Sequence, residues 1–262
     1  MPFQQHQSLR YWTFKSLLDQ PLKHAVFTRQ GGVSTAPFTS LNLSRSVGDN
    51  EENVRENEQR IFDALGLDIA SAADSFLEHG TKYFHATKPA SSRDGQIQYA
   101  DILLTDNPNV TLFMRYGDCY PILLYDPSRK ALGLAHAGWR GTLLGVISEA
   151  VAAMEERFRS RPGDLIAAIG PGVCVQHYEV GKEVIQAVRD RFEESSDEFL
   201  LSNGAGTHFN LAAANRYLLE QVGVGQIEEC QLCTAEHLDD WFSHRAEYGK
   251  TGRFGVIMAL ES

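Results

Sequence analysis

The chain has 262 residues, 43% of them hydrophobic and 22% charged, enough apolar content for a sizeable core. Its 34 acidic and 24 basic residues give a net charge of −10, which argues against a nucleic-acid polymer or an anionic membrane as partner. Four cysteines, Cys119, Cys174, Cys230 and Cys233, are too few for a disulfide scaffold.

The run Met1 to Arg10 is polar and lacks the apolar region of a secretory signal, and no stretch approaches the length of a transmembrane helix. A cytoplasmic protein with free thiols is expected. There is no internal repeat and no low-complexity linker. The polar stretches Thr87–Asp94 and Glu193–Asn203 read as surface loops, so residues 1–262 are taken as one catalytic domain.

In chain order, Leu22–Thr28 reads as a strand ended by Gly31-Gly32. Asn50 is placed to cap a helix to Leu65, with Val54, Ile61, Phe62 and Leu65 at helical spacing. Val110–Tyr116, Pro121–Tyr125 and Lys130–Ala135 are short apolar runs suited to buried strands. Thr142–Arg159 predicts one helix, Leu165–Ile169 a strand, and Gly181–Phe192 and Asn210–Val222 two more helices. Gln226–Leu232 and Phe254–Leu260 close the chain as strands. Strands fall in groups rather than in strict alternation with helices. A layered α/β (α+β) fold with mixed, largely antiparallel sheets flanked by helices is therefore expected.

Asp126-Pro127-Ser128-Arg129 has the chemistry of a tight turn. A turn centred between Pro127 and Ser128 pairs Tyr125 with Lys130, Leu123 with Leu132 and Cys119 with His136. The last two side chains would then stand about 5 Å apart on one face. A thiol and an imidazole so placed bind a soft or borderline metal, act as a nucleophile pair, or are simply a buried cysteine beside a hydrogen-bonded histidine. These residues alone leave the three readings open. Two glycines around Trp139-Arg140 suit a backbone that approaches a ligand, with Arg140 available to an anion. An open metal site needs a third ligand, and His24, His79, His85, His177, His208, His237 and His244 are all candidates.

Several runs together resemble one bacterial family. They are Thr28-Arg29-Gln30-Gly31-Gly32-Val33-Ser34, Pro37-Phe38, Ser40-Leu41-Asn42-Leu43-Ser44, Val47-Gly48-Asp49, His79-Gly80 and Asp118-Cys119-Tyr120-Pro121. The most specific is His136-Ala137-Gly138-Trp139-Arg140-Gly141. Ile169-Gly170-Pro171, Tyr178-Glu179-Val180-Gly181, Cys233-Thr234, Phe242-Ser243-His244-Arg245 and Thr251-Gly252-Arg253 follow in order. The family goes by two names, multicopper polyphenol oxidase (laccase-like) and purine nucleoside phosphorylase, and includes the peptidoglycan-editing factors.

The resemblance implies a metal site of His79, Cys119 and His136, holding zinc, with copper as the alternative. It implies phosphorolysis of adenosine, inosine or methylthioadenosine, with adenosine deamination as a side activity. It also implies a fold similar to the catalytic domain of a deamidating toxin. Leu77 departs from the family pattern, which has Gln two residues before His-Gly, and this bears on substrate preference. His177 likewise stands where the family often has another residue.

Phosphorolysis requires a phosphate held by Arg side chains and backbone N–H groups, against the ribose of a small-molecule nucleoside. Arg29, Arg140, Arg245 and Arg253 are the candidates, with Asn42 as a substrate contact and Gly170-Pro171-Gly172 as a source of backbone donors. Asp118 or Glu179 would serve as general acid/base or as partner of a ligand histidine. Cys119, His136 and His79 carry the catalytic centre in this reading.

A four-copper oxidase consumes many histidines, typically in His-x-His pairs; the chain has nine histidines and no such pair, so laccase chemistry is disfavoured. Cys230-x-x-Cys233 lacks a second pair and reads as structural burial, as does Cys174. Two competing functions are a metal-free Cys–His hydrolase or amidase editing a peptidoglycan precursor, and a non-catalytic binding protein. The sequence leaves the oligomeric state open.

Overall fold

The computed structural model describes residues 3–202, 204 and 206–261. Strands β1 (Phe3–His6) and β2 (Leu9–Trp12) form a hairpin and are followed by the short helix α1 (Lys15–Leu18), strand β3 (Leu22–Phe27) and helix α2 (Glu51–Ala64). Next come β4 (Ala72–Asp74), β5 (Tyr83–His85), β6 (Ile102–Thr105), β7 (Thr111–Tyr116), β8 (Tyr120–Asp126) and β9 (Ala131–Ala137). Helices α3 (Trp139–Leu144) and α4 (Val146–Phe158) lead to β10 (Ile166–Ile169) and α5 (Lys182–Phe192). The chain ends with β11 (Leu200–Ser202), β12 (Thr207–Phe209), α6 (Leu211–Gln221), β13 (Gln226–Glu229) and β14 (Phe254–Leu260).

One six-stranded sheet has the order β1-β2-β3-β14-β7-β4 and the other β13-β10-β8-β9-β6-β5; β11 and β12 form a small third sheet. Most pairs are antiparallel, with parallel joins at β4–β7, β5–β6 and β10–β13. The expected fold class is thus the observed one.

The two large sheets pack face to face, and strand alternation divides each strand between two cores. In β8, Leu123 and Tyr125 meet Val256 and Met258 of β14 between the sheets. Ile122 and Leu124 instead face Ile147, Val151 and Met154 of α4. Across the other sheet, Phe113 and Ile257 pack on Ile61 and Phe62 of α2. Burial on both faces is why these strands read as continuous apolar runs. The Asn50 side chain caps α2 through Glu52 N (2.7 Å) and Asn53 N (3.4 Å), as expected from its position.

Three expectations are corrected. The helix predicted over Thr142–Arg159 starts earlier, at Trp139, and breaks at Gly145, whose φ of 98° is open to glycine but strained for other residues. The β8–β9 loop spans Pro127–Lys130, with Asp126 accepting from Ser128 N (2.8 Å) and Arg129 N (3.0 Å) and Lys130 at a φ of 50°. The register is therefore offset by two residues from the expected one: Tyr125 pairs with Leu132 and Pro121 with His136. An offset of two preserves the face, so Cys119 and His136 still point the same way, as diagonal rather than direct neighbours. Finally, the stretch Glu193–Asn203, expected as a surface loop, carries a 3₁₀ turn over Glu193–Glu198 and β11; Asn203 lies outside the described residues, as do Met1 and Pro2.

Candidate metal centre and its cavity

Cys119 sits in the bend just before β8 and His136 near the end of β9, both on the face turned toward the other sheet. His79 comes from the loop before β5. One ligand atom from each of the three residues lies within 4.8 Å of the other two, and the His79 and His136 rings meet edge to face with centroids 5.0 Å apart. The loops that deliver them are strained: His79 has a φ of 58° and Asp118 a φ of 82°. Non-glycine residues are costly there, and such outliers concentrate at functional sites.

Asp101, in the bend just before β6, holds the cluster together. Its carboxylate accepts from the backbone N–H groups of Glu78 (3.1 Å), His79 (3.0 Å) and Gly80 (2.9 Å). It also lies 3.0 Å from Nδ1 of His136, while its carbonyl accepts from His136 N at 2.8 Å. Nδ1 thus carries its proton toward Asp101, and Nε2 is left for a ligand. Burial works against ionisation of Cys119, but the neighbouring His136 and hydrogen bonds from His136 and His79 outweigh it and bring the thiol down to about 6. Burial likewise disfavours the His136 cation, yet the Cys119 charge and Asp101 push it up to about 9.

The donor set fits a zinc or copper ion. Gly138 stands across from Cys119, and a Cβ there would lie 2.8 Å from Cys119 Sγ, 3.5 Å from His79 Cδ2 and 3.6 Å from His136 Cε1. The space at the centre of the three donors is kept open by the absence of a side chain. A thiolate and two imidazoles are the ligand types both metals favour, and three of them leave a fourth position.

His79 also lines a cavity of about 360 Å³ with Ser46, Leu77, Arg45, Arg115 and Arg253. Glu58, 2% exposed, ion-pairs with Arg45 (2.8 Å) and Arg115 (2.9 Å), and Asp74, 1% exposed, with Arg115 (2.8 Å). Those two arginines are therefore compensated. The Arg253 guanidinium instead contacts the carbonyls of Thr251 (3.3 Å) and Gly252 (2.8 Å) and Nδ1 of His244 (3.5 Å). Burial lowers its pKa from the ordinary arginine value. A desolvated cation without a carboxylate contact favours an incoming anion.

The other residues proposed from sequence lie outside this cavity. Arg29 pairs with Glu247 (3.1 Å), caps the carbonyls of Thr39 and Leu238, and stacks on Phe242. Asn42 is fully buried and binds Ser44 O, Asp49 Oδ2 and the Arg253 N–H, so it shapes the cavity wall. Arg140 stacks on Trp139 and meets Glu183 at 3.3 Å, beside a separate hollow. Arg245 donates to the Glu179 carbonyl at 2.7 Å, and its backbone N–H to Asp118 at 2.6 Å. The second oxygen of Asp118 accepts from the Thr234 hydroxyl at 2.6 Å, so both are occupied.

Sequence reasoning missed Asp101, Arg45, Arg115 and the role of Gly138. The one available signal for Asp101 was a lone acid flanked by apolar residues, Ala100 and Ile102.

The family model of the multi-copper polyphenol oxidoreductase laccase matches residues 23–261. The chain belongs to that family. Among its relatives, a Deinococcus radiodurans protein named purine nucleoside phosphorylase is 38% identical over 241 residues, covering 90% of this chain and 88% of that one. Purine nucleoside phosphorylase YlmD of Bacillus subtilis is 34% identical over 244 residues, covering 89% and 87%. The crystal structure of the Bacillus licheniformis hypothetical protein YfiH superposes with a TM-score of 0.91 at 33% identity, covering 99% of both chains. Among the described residues, no helix is long and apolar enough to cross a membrane.

Proposed function

We propose that the chain is a metal-dependent purine nucleoside phosphorylase of the cytoplasm, built as one catalytic domain and acting on adenosine, inosine or methylthioadenosine. Adenosine deamination is its side activity. The observation that carries this reading is the double role of His79, which belongs to the three-donor cluster and also lines the arginine-bearing cavity. The names of the relatives support the same class.

In this reading His79, Cys119 and His136 hold the ion, zinc first and copper as the alternative. The chemistry such an ion supplies is Lewis-acid polarisation and a lowered pKa for water. Asp101 fixes the tautomer and direction of His136 and pins the His79 loop through three N–H bonds. Arg253 holds phosphate at the cavity wall, oriented by Asn42 through its backbone. An oxygen of hydrogen phosphate attacks ribose C1′, the C1′–N9 bond breaks, and the purine leaves with the electron pair and takes up the proton that the phosphate gives up. Asp118 serves as a positioning residue, since Thr234 and Arg245 occupy its oxygens.

The test is base release from adenosine and inosine with and without phosphate, alongside Cys119→Ala. Phosphate-dependent release that disappears in the variant supports the reading. Release indifferent to phosphate and to Cys119→Ala overturns it.

A second reading rests on the Cys119–His136–Asp101 array, in which the thiol is brought down to about 6 beside an imidazole pushed up to about 9. That is the arrangement of a cysteine nucleophile with an oriented base, suited to an amide of a peptidoglycan precursor. Zinc bound at this cluster and lost on His79→Ala would sink it. Laccase chemistry is not proposed, because the donors gathered around His79 provide for one ion and four-electron oxygen reduction needs several coppers.

A further inference from the structure

Behind the Asp118–Cys119 loop lies a second group of donors that the chemistry above does not use. Two turns face each other there. One carries Cys174-Val175-Gln176-His177, with a 3₁₀ turn over Val175–His177; the other carries Cys233-Thr234-Ala235-Glu236. An isolated parallel bridge between Gly172 and Cys233 joins them, reinforced by Thr234 N to Gly172 O at 3.0 Å. The result is a Cys-x-x-His pair set against a Cys-x-x-Glu pair.

One ligand atom from each of Cys174, His177, Cys233 and Glu236 lies within 4.8 Å of the other three. Nδ1 of His177 faces both sulfurs, 3.2 Å from Cys174 Sγ and 3.7 Å from Cys233 Sγ. Tetrahedral bonds of about 2.3 Å to sulfur and about 2.0 Å to nitrogen separate donors by roughly 3.5 Å or slightly more, which is close to this spacing. The backbone N–H of Cys174 donates to Cys233 Sγ at 3.2 Å, a contact that stabilises a thiolate. Cys230, the nearer cysteine in sequence, is buried in the core between the sheets and takes no part.

We propose that Cys174, His177, Cys233 and Glu236 bind a structural zinc ion, distinct from the centre at His79, Cys119 and His136. Two thiolates, an imidazole and a carboxylate favour zinc over the hard cations and fill all four tetrahedral positions, which marks a structural rather than a catalytic site. Its place explains what it secures. Val173, next to Cys174, donates its N–H to the Asp118 carbonyl at 2.9 Å, and Thr234, next to Cys233, donates to the Asp118 carboxylate at 2.6 Å. The ion ties together two turns that both grip Asp118, whose φ of 82° sets the direction of Cys119.

The test is zinc titration of the reduced, metal-stripped full chain under chelator competition, compared across wild type, His79→Ala and the pair His177→Ala, Glu236→Ala. His177 and Glu236 are exposed, so the pair leaves the core intact. Wild type takes up two equivalents and each variant one. The paired substitution weakens the second equivalent by more than about 100-fold, since losing an outer-shell partner alone costs about 10–100-fold. Cobalt in the His79→Ala protein gives a thiolate-to-cobalt charge-transfer band that Cys233→Ser reduces. Zinc raises the melting temperature of His79→Ala and not that of the variant combining His79→Ala with His177→Ala and Glu236→Ala. Zinc uptake in wild type that is unchanged by the paired substitution overturns the proposal, whether wild type holds one equivalent or two. So does a Cys174–Cys233 disulfide in the protein as isolated, found by thiol counting. None of these outcomes depends on phosphorolysis.

Discussion

Nδ1 of His136 lies 3.0 Å from Oδ1 of Asp101, and the same carboxylate gathers three successive backbone N–H groups from Glu78 to Gly80. One buried acid thus sets both histidines of the candidate metal centre, one through its ring and the other through its backbone. Asp101→Asn keeps the shape but loses the charge and half of the acceptor capacity. Zinc affinity at this centre is expected to fall about 10–100-fold, as for other partners of ligand histidines. Chelator competition measures it, and an unchanged affinity would remove Asp101 from the positioning role.

The space between the donors depends on Gly138. A methyl group there would stand 2.8 Å from Cys119 Sγ, closer than real Cβ contacts allow, with His79 and His136 at its other sides. Gly138→Ala is expected to lose the ion of this centre and at least about 90% of metal-dependent turnover, because coordination tolerates deviations of only about 0.2 Å. Far-UV circular dichroism should stay at the wild-type level. Full metal content in the folded variant would show that the space lies elsewhere.

Arg253 is the cavity arginine whose contacts are carbonyls and a histidine, whereas Arg45 and Arg115 are matched by Glu58 and Asp74. Arg253→Met removes one charge-assisted contact of about 1.5–3 kcal/mol, which corresponds to a roughly 10–100-fold rise in the KM for phosphate. The KM for nucleoside should move much less. If both rise together, the residue shapes the cavity instead of holding the anion.

Much of this was legible in the sequence, and the failures have physical causes. The strands buried on both faces, β7, β8, β9 and β14, announce themselves as apolar runs, and α2 by its cap and its helical spacing. Strands β4 and β5 have three residues each, too few for any period to show. The edge strand β1 and its neighbour β2 are half-exposed and read as a polar terminus. Gly145 breaks a helix whose apolar stripe continues past it. The hairpin register shifted because Asp126 caps a four-residue loop instead of a two-residue one, and the face survived because the shift was even. The second metal-capable cluster is not legible because its halves stand 56 residues apart, and nothing in the spacing ties the candidate ligand His177 to Cys233 and Glu236.

His24 makes stability depend on pH. Its Nε2 accepts from the Phe14 N–H at 2.7 Å, and burial lowers its pKa to about 4, against the smaller opposing effect of Glu228. The folded protein therefore holds His24 neutral, while the unfolded chain takes up a proton near pH 6.5. The contribution is fully present above pH 6.5 and is lost as pH falls from there toward about 4, where the folded state is protonated too. The shift corresponds to about 3 kcal/mol at one pKa unit per 1.36 kcal/mol. His24→Gln keeps an acceptor for Phe14 without the titration. Urea midpoints between pH 7.5 and pH 4.5 should fall more steeply for wild type than for the variant, and parallel slopes would contradict the assignment.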